Sequence, residues 1–128
     1  MIKILFEGSI FLHQKVGGIS KYIFKLNQKN SLFKIKSIIF APINKSFILS
    51  KNLKNIIYFF KVREIPAYCS KFFYLINNLL TIIYIKLYKP DFLHLTYYNN
   101  FIINYIKIPY ILTIYDLIHE KLNKEQNQ

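Results

Sequence analysis

The chain has 128 residues, 53% of them hydrophobic and 18% aromatic, which is enough apolar surface for one compact core and excludes a globally disordered polypeptide. Its net charge is +12, but Arg63 is the only arginine among 18 cations and the lysines are dispersed. Base readout and bidentate phosphate clamps favour arginine, so the charge is read as compositional bias on a solvated surface or as attraction to an anionic membrane, with no specific nucleic-acid partner.

In chain order, Ile2, Ile4, Leu5 and Phe6 form a short apolar run that Glu7 interrupts. The run lacks the apolar length and small-residue cleavage site of a secretory signal, and its pattern predicts a strand buried on both faces of a parallel sheet. A loop through His13 and Gln14 follows, and Ile19, Tyr22, Ile23 and Leu26 then recur at helical spacing, predicting a helix that ends near Asn30. Phe33 to Phe40 predicts a second strand, stopped by Ala41-Pro42. After a polar stretch from Asn44 to Asn55, Ile56 to Phe60 predicts a third strand, with Pro66 closing the next loop.

Tyr68 to Tyr88 is helical in pattern and ends at Lys89-Pro90, because proline disfavours a helical residue before it. From Phe72 onward this helix is strongly apolar, but Asn77, Asn78 and Lys86 interrupt it and it falls short of the roughly 20 continuous apolar residues that a bilayer span requires. A helix packed on the core is expected, with contact along a membrane surface as the alternative. Phe92, Leu93 and Leu95 predict a fourth strand and Tyr110 to Tyr115 a fifth, while the chain from Asn123 is polar and is expected to fray. Strands alternating with helices predict one α/β domain over residues 1–122, a Rossmann-like parallel sheet with flanking helices, followed by a polar tail over 123–128.

Chemistry in such a sheet collects at the carboxyl ends of the strands. Gly17 and Gly18 precede a helix, where unpaired N–H groups and the positive end of the helix dipole favour an anion; the alternative is a plain turn. His13, His94 and His119 all fall near the same predicted rim, although a lone histidine is more often structural. Their spacing matches no zinc motif, and Cys69 is the only cysteine, so neither a metal site nor an internal disulfide is expected, and a reducing cytoplasm suits the chain. Asp116, His119 and Glu120 form the densest ionisable cluster, suited to a general base or to sugar-hydroxyl contacts, or else to capping a following helix. Tyr97-Tyr98-Asn99-Asn100 sets rings beside amides, which suits carbohydrate, or makes an Asn-rich turn.

Four segments taken in order, Ile-Lys-Ile-Leu-Phe-Glu-Gly-Ser, Gly-Gly-Ile-Ser-Lys-Tyr, Lys-Pro-Asp-Phe-Leu-His-Leu-Thr-Tyr-Tyr and Ile-Pro-Tyr-Ile-Leu-Thr-Ile-Tyr-Asp-Leu-Ile-His-Glu, resemble family 4 glycosyltransferases across nearly the whole chain. The last resembles a subgroup associated with bacterial cell-surface polysaccharide synthesis. The resemblance implies a GT-B architecture of two Rossmann-like lobes, of which this chain is an incomplete N-terminal, acceptor-side lobe. It also implies sugar transfer with retention from a nucleotide-sugar donor to a glycan or lipid-linked acceptor, without metal or other cofactor.

On that resemblance Gly17, Gly18 and Ile19 face the donor diphosphate or transferred sugar, and His13, His94, Tyr97, Tyr98 and Tyr115 line the acceptor side. Tyr115 stands where many members of the family carry a histidine before the aspartate, which leaves Asp116 and His119 as the catalytic candidates. The C-terminal lobe, with its nucleotide-binding region and paired glutamates, would follow or be a separate partner chain, so this polypeptide alone is expected not to turn over. The expected location is cytoplasmic, with peripheral contact at the inner face of the membrane. A noncatalytic Rossmann-like module that binds a glycan or a partner is the alternative.

Overall fold

Strand β1 (Ile2–Glu7) lies at the centre of a five-stranded sheet, and each of its side-chain rows meets a different layer of helices. The computed structural model describes residues 1–50, 54–97 and 99–113. Along the chain, β1 leads into α1 (Ser9–His13) and α2 (Gly18–Asn30), then into β2 (Ile35–Phe40), the short strands β3 (Ile43–Asn44), β4 (Ile56–Ile57) and β5 (Phe60–Lys61), α3 (Ser70–Tyr88), β6 (Phe92–Leu95), α4 (Asn100–Tyr105) and β7 (Tyr110–Leu112). The main sheet has the order β4-β2-β1-β6-β7 with every neighbouring pair parallel, and β3 and β5 form a second, two-stranded parallel sheet.

The expected parallel α/β fold is therefore present. Phe6 and Ile39 point to the side of α1 and α2, where they join Ile10, Phe11, Ile23 and Leu49 in one buried cluster. Leu5, Phe40, Leu93 and Leu95 point the other way and pack with Ile85 of α3 and Ile102 of α4. Each fully buried side chain of this size contributes about 1.5–3 kcal/mol, so both layers are needed to hold a sheet that is apolar on both faces.

Several elements depart from the sequence-based expectation. The segment after β1 is helical where a loop is expected: α1 buries Ile10, Phe11 and Leu12, but its five residues are too few to display a helical period. Phe33 and Lys34 do not belong to β2, because Ser31–Phe33 is a 3-10 turn and Lys34 turns the chain in the left-handed region at φ 57°. The run Ile56 to Phe60 is not one strand. Ile56 and Ile57 pair with β2, whereas the Phe59 and Phe60 N–H groups both donate to the Pro42 carbonyl and carry the chain to the second sheet. Helix α4 has no counterpart among the sequence-based elements; Asn99 starts it by accepting from the Ile102 N–H at 3.2 Å.

The topology sets the position of the site. From β1 the chain winds outward through β2 to β4, and α3 then carries it back to β6 on the other side of β1. The loops leaving the carboxyl ends of β1 and β6 diverge at this reversal, which opens a crevice there. Among the described residues no helix is long and apolar enough to cross a membrane.

Candidate functional site

Glu7, the last residue of β1, is 1% exposed and ties the two loops of the crevice together. Its Oε2 accepts from the Ser9 N–H at 3.0 Å, and its Oε1 accepts from the Ser9 hydroxyl at 2.6 Å and the Thr96 N–H at 3.0 Å. The Thr96 hydroxyl lies 2.9 Å from the Glu7 carbonyl and 3.0 Å from its carboxylate, shares its single proton between them, and accepts from the Ile10 N–H at 3.2 Å. A buried carboxylate is stable here because both oxygens are satisfied. Glu7 thus fixes where the first turn of α1 and the end of β6 sit. In the sequence it is only the charge that ends an apolar run; Ser9 two residues on is a local hint, but Thr96 is 89 residues away and gives none.

Aromatic groups stand over this network. His13, at the end of α1, has its ring centroid 5.4 Å from that of Tyr97 and 5.8 Å from that of Tyr74 on α3. With Ser70 and Lys71, His13 and Tyr74 line a shallow open hollow of about 230 Å³. The His13 ring keeps an exposed edge, yet partial burial lowers its pKa; the Lys45 ammonium lowers it further, and the Glu7 carboxylate opposes both. The imidazole is therefore neutral at pH 7, with one nitrogen donating and the other accepting. Burial raises the pKa of Tyr74 and Glu7 adds to that, while the Asn78 amide works the other way, so the phenol keeps its proton.

The floor comes from an unusual face of α3. Asn77 grips β3 in both directions: its Oδ1 accepts from the Ile43 N–H at 2.9 Å and its Nδ2 donates to the Ile43 carbonyl at 2.7 Å. Thr81 donates to the Asn77 carbonyl at 2.7 Å. Asn78 is 2% exposed, its Oδ1 accepts from Asn99 Nδ2 at 2.8 Å, and its own Nδ2 makes no full hydrogen bond among the described residues but interacts with the Tyr74 hydroxyl. A buried amide N–H wholly unpaired would cost about 1–3 kcal/mol, and the weak contact to Tyr74 offsets part of that.

The predicted glycines divide. Gly17 caps α2 in extended backbone with no side-chain cap, and a Cβ there would meet only the end of the flexible Gln14 side chain. A Cβ on Gly18 would meet nothing within 4 Å, so that position borders open space. The glycine that packing demands is Gly8, where a Cβ would lie 2.5 Å from Ala41 Cα and from the Phe40 carbonyl oxygen. Ile19 is half-buried against the cluster beneath α2.

His94 is not gathered with His13, Tyr74 and Tyr97. It is 6% exposed, stacks on Phe6 at 4.8 Å beneath the α1–α2 layer, and holds Nε2 3.2 Å from the Thr113 hydroxyl; burial lowers its pKa. Tyr98, Tyr115, Asp116 and His119 lie outside the described residues, and Glu120 with them. Sequence reasoning misses Glu7, Tyr74 and Asn78: Ser9 hints at Glu7, the pairing with Asn77 in a largely apolar helix signals Asn78, and Tyr74 gives no signal. Among the described residues no three metal-binding side chains come together. No protein-family model matches the chain, and no curated protein or solved structure is significantly similar to it.

Proposed function

We propose that the crevice at the carboxyl ends of β1 and β6 binds a sugar, and that the domain serves as the acceptor-side, N-terminal lobe of a family 4 glycosyltransferase of GT-B architecture. One observation carries the reading: a neutral imidazole and two phenol rings, one of them backed by the buried Asn78 amide, converge where the strand order reverses. Sugars present apolar faces to rings and hydroxyls to amides, and this set offers both. His13, neutral at pH 7, can accept the proton of a bound hydroxyl. The start of α2 at Gly17 and Gly18, which no side chain caps, suits the diphosphate of a nucleotide-sugar donor, whose charge the helix dipole favours. Asp116 and His119 are the proposed catalytic pair, Tyr98 and Tyr115 further acceptor-side groups, and a glycan or lipid-linked saccharide the acceptor.

A noncatalytic glycan-binding module is the second reading, favoured by the state of Glu7. It is the carboxylate nearest the crevice among the described residues, and both of its oxygens are held by Ser9 and Thr96. Calorimetric titration with cell-surface oligosaccharides and with nucleotide sugars separates the cases. Oligosaccharide binding that Tyr74→Ala weakens about tenfold supports the crevice, since a ring contact of this kind is worth about 0.5–1.5 kcal/mol. Weak nucleotide-sugar binding that Gly18→Ala abolishes, with the melting temperature unchanged, supports the transferase; oligosaccharide binding alone supports the module. Absence of any sugar binding, or full binding by Tyr74→Ala, would overturn both.

A further inference from the structure

Helix α3 is apolar on the side turned away from the sheet. Its inner face buries Asn77, Asn78, Thr81 and Ile85, whereas its outer face carries Phe72, Leu75, Leu79, Ile83 and Leu87, exposed by 42–77%. At 3.6 residues per turn these five fall within an arc of about 120°, a continuous apolar stripe about 24 Å long. No charged residue interrupts it between Lys71 and Lys86.

The charges around the stripe have one sign. Lys71 stands at its start and Lys86 at its end, the latter inside the same arc. Beyond the last turn, a cavity of about 430 Å³ opens at the amino end of the strands, opposite the sugar crevice; Ile82, Ile106 and Ile108 line it together with Lys86, Lys89 and Lys107. The nearest described carboxylate, Asp91, accepts from the Lys3 backbone N–H at 2.8 Å. A second copy of the chain would bring lysines against lysines. An apolar layer beneath a plane of phosphates would bury the stripe and pair the cations.

We propose that the outer face of α3 docks on an anionic phospholipid bilayer, the stripe lying at the acyl boundary and Lys86, Lys89 and Lys107 at the level of the phosphates. The cavity beside Lys86 supplies an apolar recess under three ammonium groups, the same order of charge over hydrocarbon that a lipid presents. This face is distinct from the crevice, so loss of sugar binding and loss of membrane binding are separate outcomes.

The chain has no tryptophan, which makes a single introduced one an unambiguous depth probe. Leu79→Trp on α3 and Gln28→Trp on the exposed side of α2 are each mixed with phosphatidylcholine vesicles containing about 30% phosphatidylglycerol, with bromine on the acyl chains, a composition that mimics an anionic leaflet. Emission from the α3 probe should shift to the blue and lose at least half its intensity, and emission from the α2 probe should change by less than a tenth. Binding should fall at least tenfold with pure phosphatidylcholine, in about 0.5 M salt, or in the triple variant Lys86→Glu, Lys89→Glu, Lys107→Glu, but less than threefold in the α2 control Lys21→Glu, Lys25→Glu, Lys29→Glu. Equal quenching of the two probes, equal loss in the two charge variants, or a lipid-independent dimer that Leu79→Lys dissociates would overturn the proposal. The tryptophan probes replace exposed residues, so they report even if a charge variant fails to fold.

Discussion

Helices α2 and α3 cover opposite faces of one sheet with matching inner sides and opposite outer ones. Helix α2 buries one isoleucine, Ile23, together with Ser20, Asn27 and Asn30, and turns Lys21, Lys25 and Lys29 to water. Helix α3 likewise buries one isoleucine, Ile85, with Asn77, Asn78 and Thr81, but its outer side carries Phe72, Leu75, Leu79, Ile83 and Leu87. The buried amides serve different partners. Under α2, Asn27 binds the Ser37 hydroxyl of β2 and the Asn55 carbonyl. Under α3, near the strand ends, Asn77 binds both backbone groups of Ile43 in β3. A helix that satisfies loop backbone from its inner face becomes a polar floor for whatever the loops bind.

The comparison breaks most sharply at the network that both sides share. Glu7→Ala orphans the Ser9 and Thr96 donors and should cost about 3–5 kcal/mol in denaturant unfolding, since each buried unpaired donor costs about 1–3; Glu7→Gln, which keeps one acceptor oxygen, should cost about half as much. Next come matched core changes. Ile23→Ala on α2 should cost about 3 kcal/mol through cavity formation. Asn77→Leu on α3, which adds apolar volume but strands the Ile43 N–H and carbonyl, should still cost about 2 kcal/mol. A stabilised Asn77→Leu would show that apolar contact alone suffices under α3.

A pH series tests the two histidine rings, His94 buried and His13 partly so. His13 and His94 both have pKa values held below the ordinary 6.5, chiefly by burial. Above that pH both are neutral whether folded or unfolded and their contribution is complete. As the pH falls below 6.5 the unfolded chain takes up protons that the folded chain resists, so stability declines until the folded form is protonated as well. The melting temperature should therefore drop between about pH 7 and 5, and His94→Gln should flatten the drop more than His13→Gln, because His94 is the more deeply buried. The smallest effect belongs to the outer face: Leu79→Lys should change stability by less than about 0.5 kcal/mol, where the same exchange at Ile23 would abolish folding.

How much of this is readable beforehand depends on the range of the signal. Strand β1, helix α2 and strand β6 each carry their period within a few residues, and Lys89-Pro90 marks the end of α3 because Lys89 must take the left-handed backbone that stops the helix. Helices α1 and α4 are shorter than the window in which a period can be seen. The split of Ile56 to Phe60 is decided by the Pro42 carbonyl, a partner that no local pattern names. At the site, a rim at the carboxyl ends of the strands follows from the predicted parallel sheet and His13 lies at that rim, but the strand order that opens the crevice does not show in the sequence, His94 lies in the core, and the roles of Glu7 and Asn78 rest on Thr96 and Asn99, partners distant in sequence.

The central claim is that the polar inner side of α3 and the loops after β1 and β6 form one sugar site. Its most direct test is a titration of isotope-labelled chain with cell-surface oligosaccharides, followed by amide chemical shifts. The account predicts saturable shifts confined to Gly8–Gly18, Tyr74–Asn78 and Thr96–Asn99. Shifts spread over the exposed face of α2, or none at millimolar sugar, would contradict it.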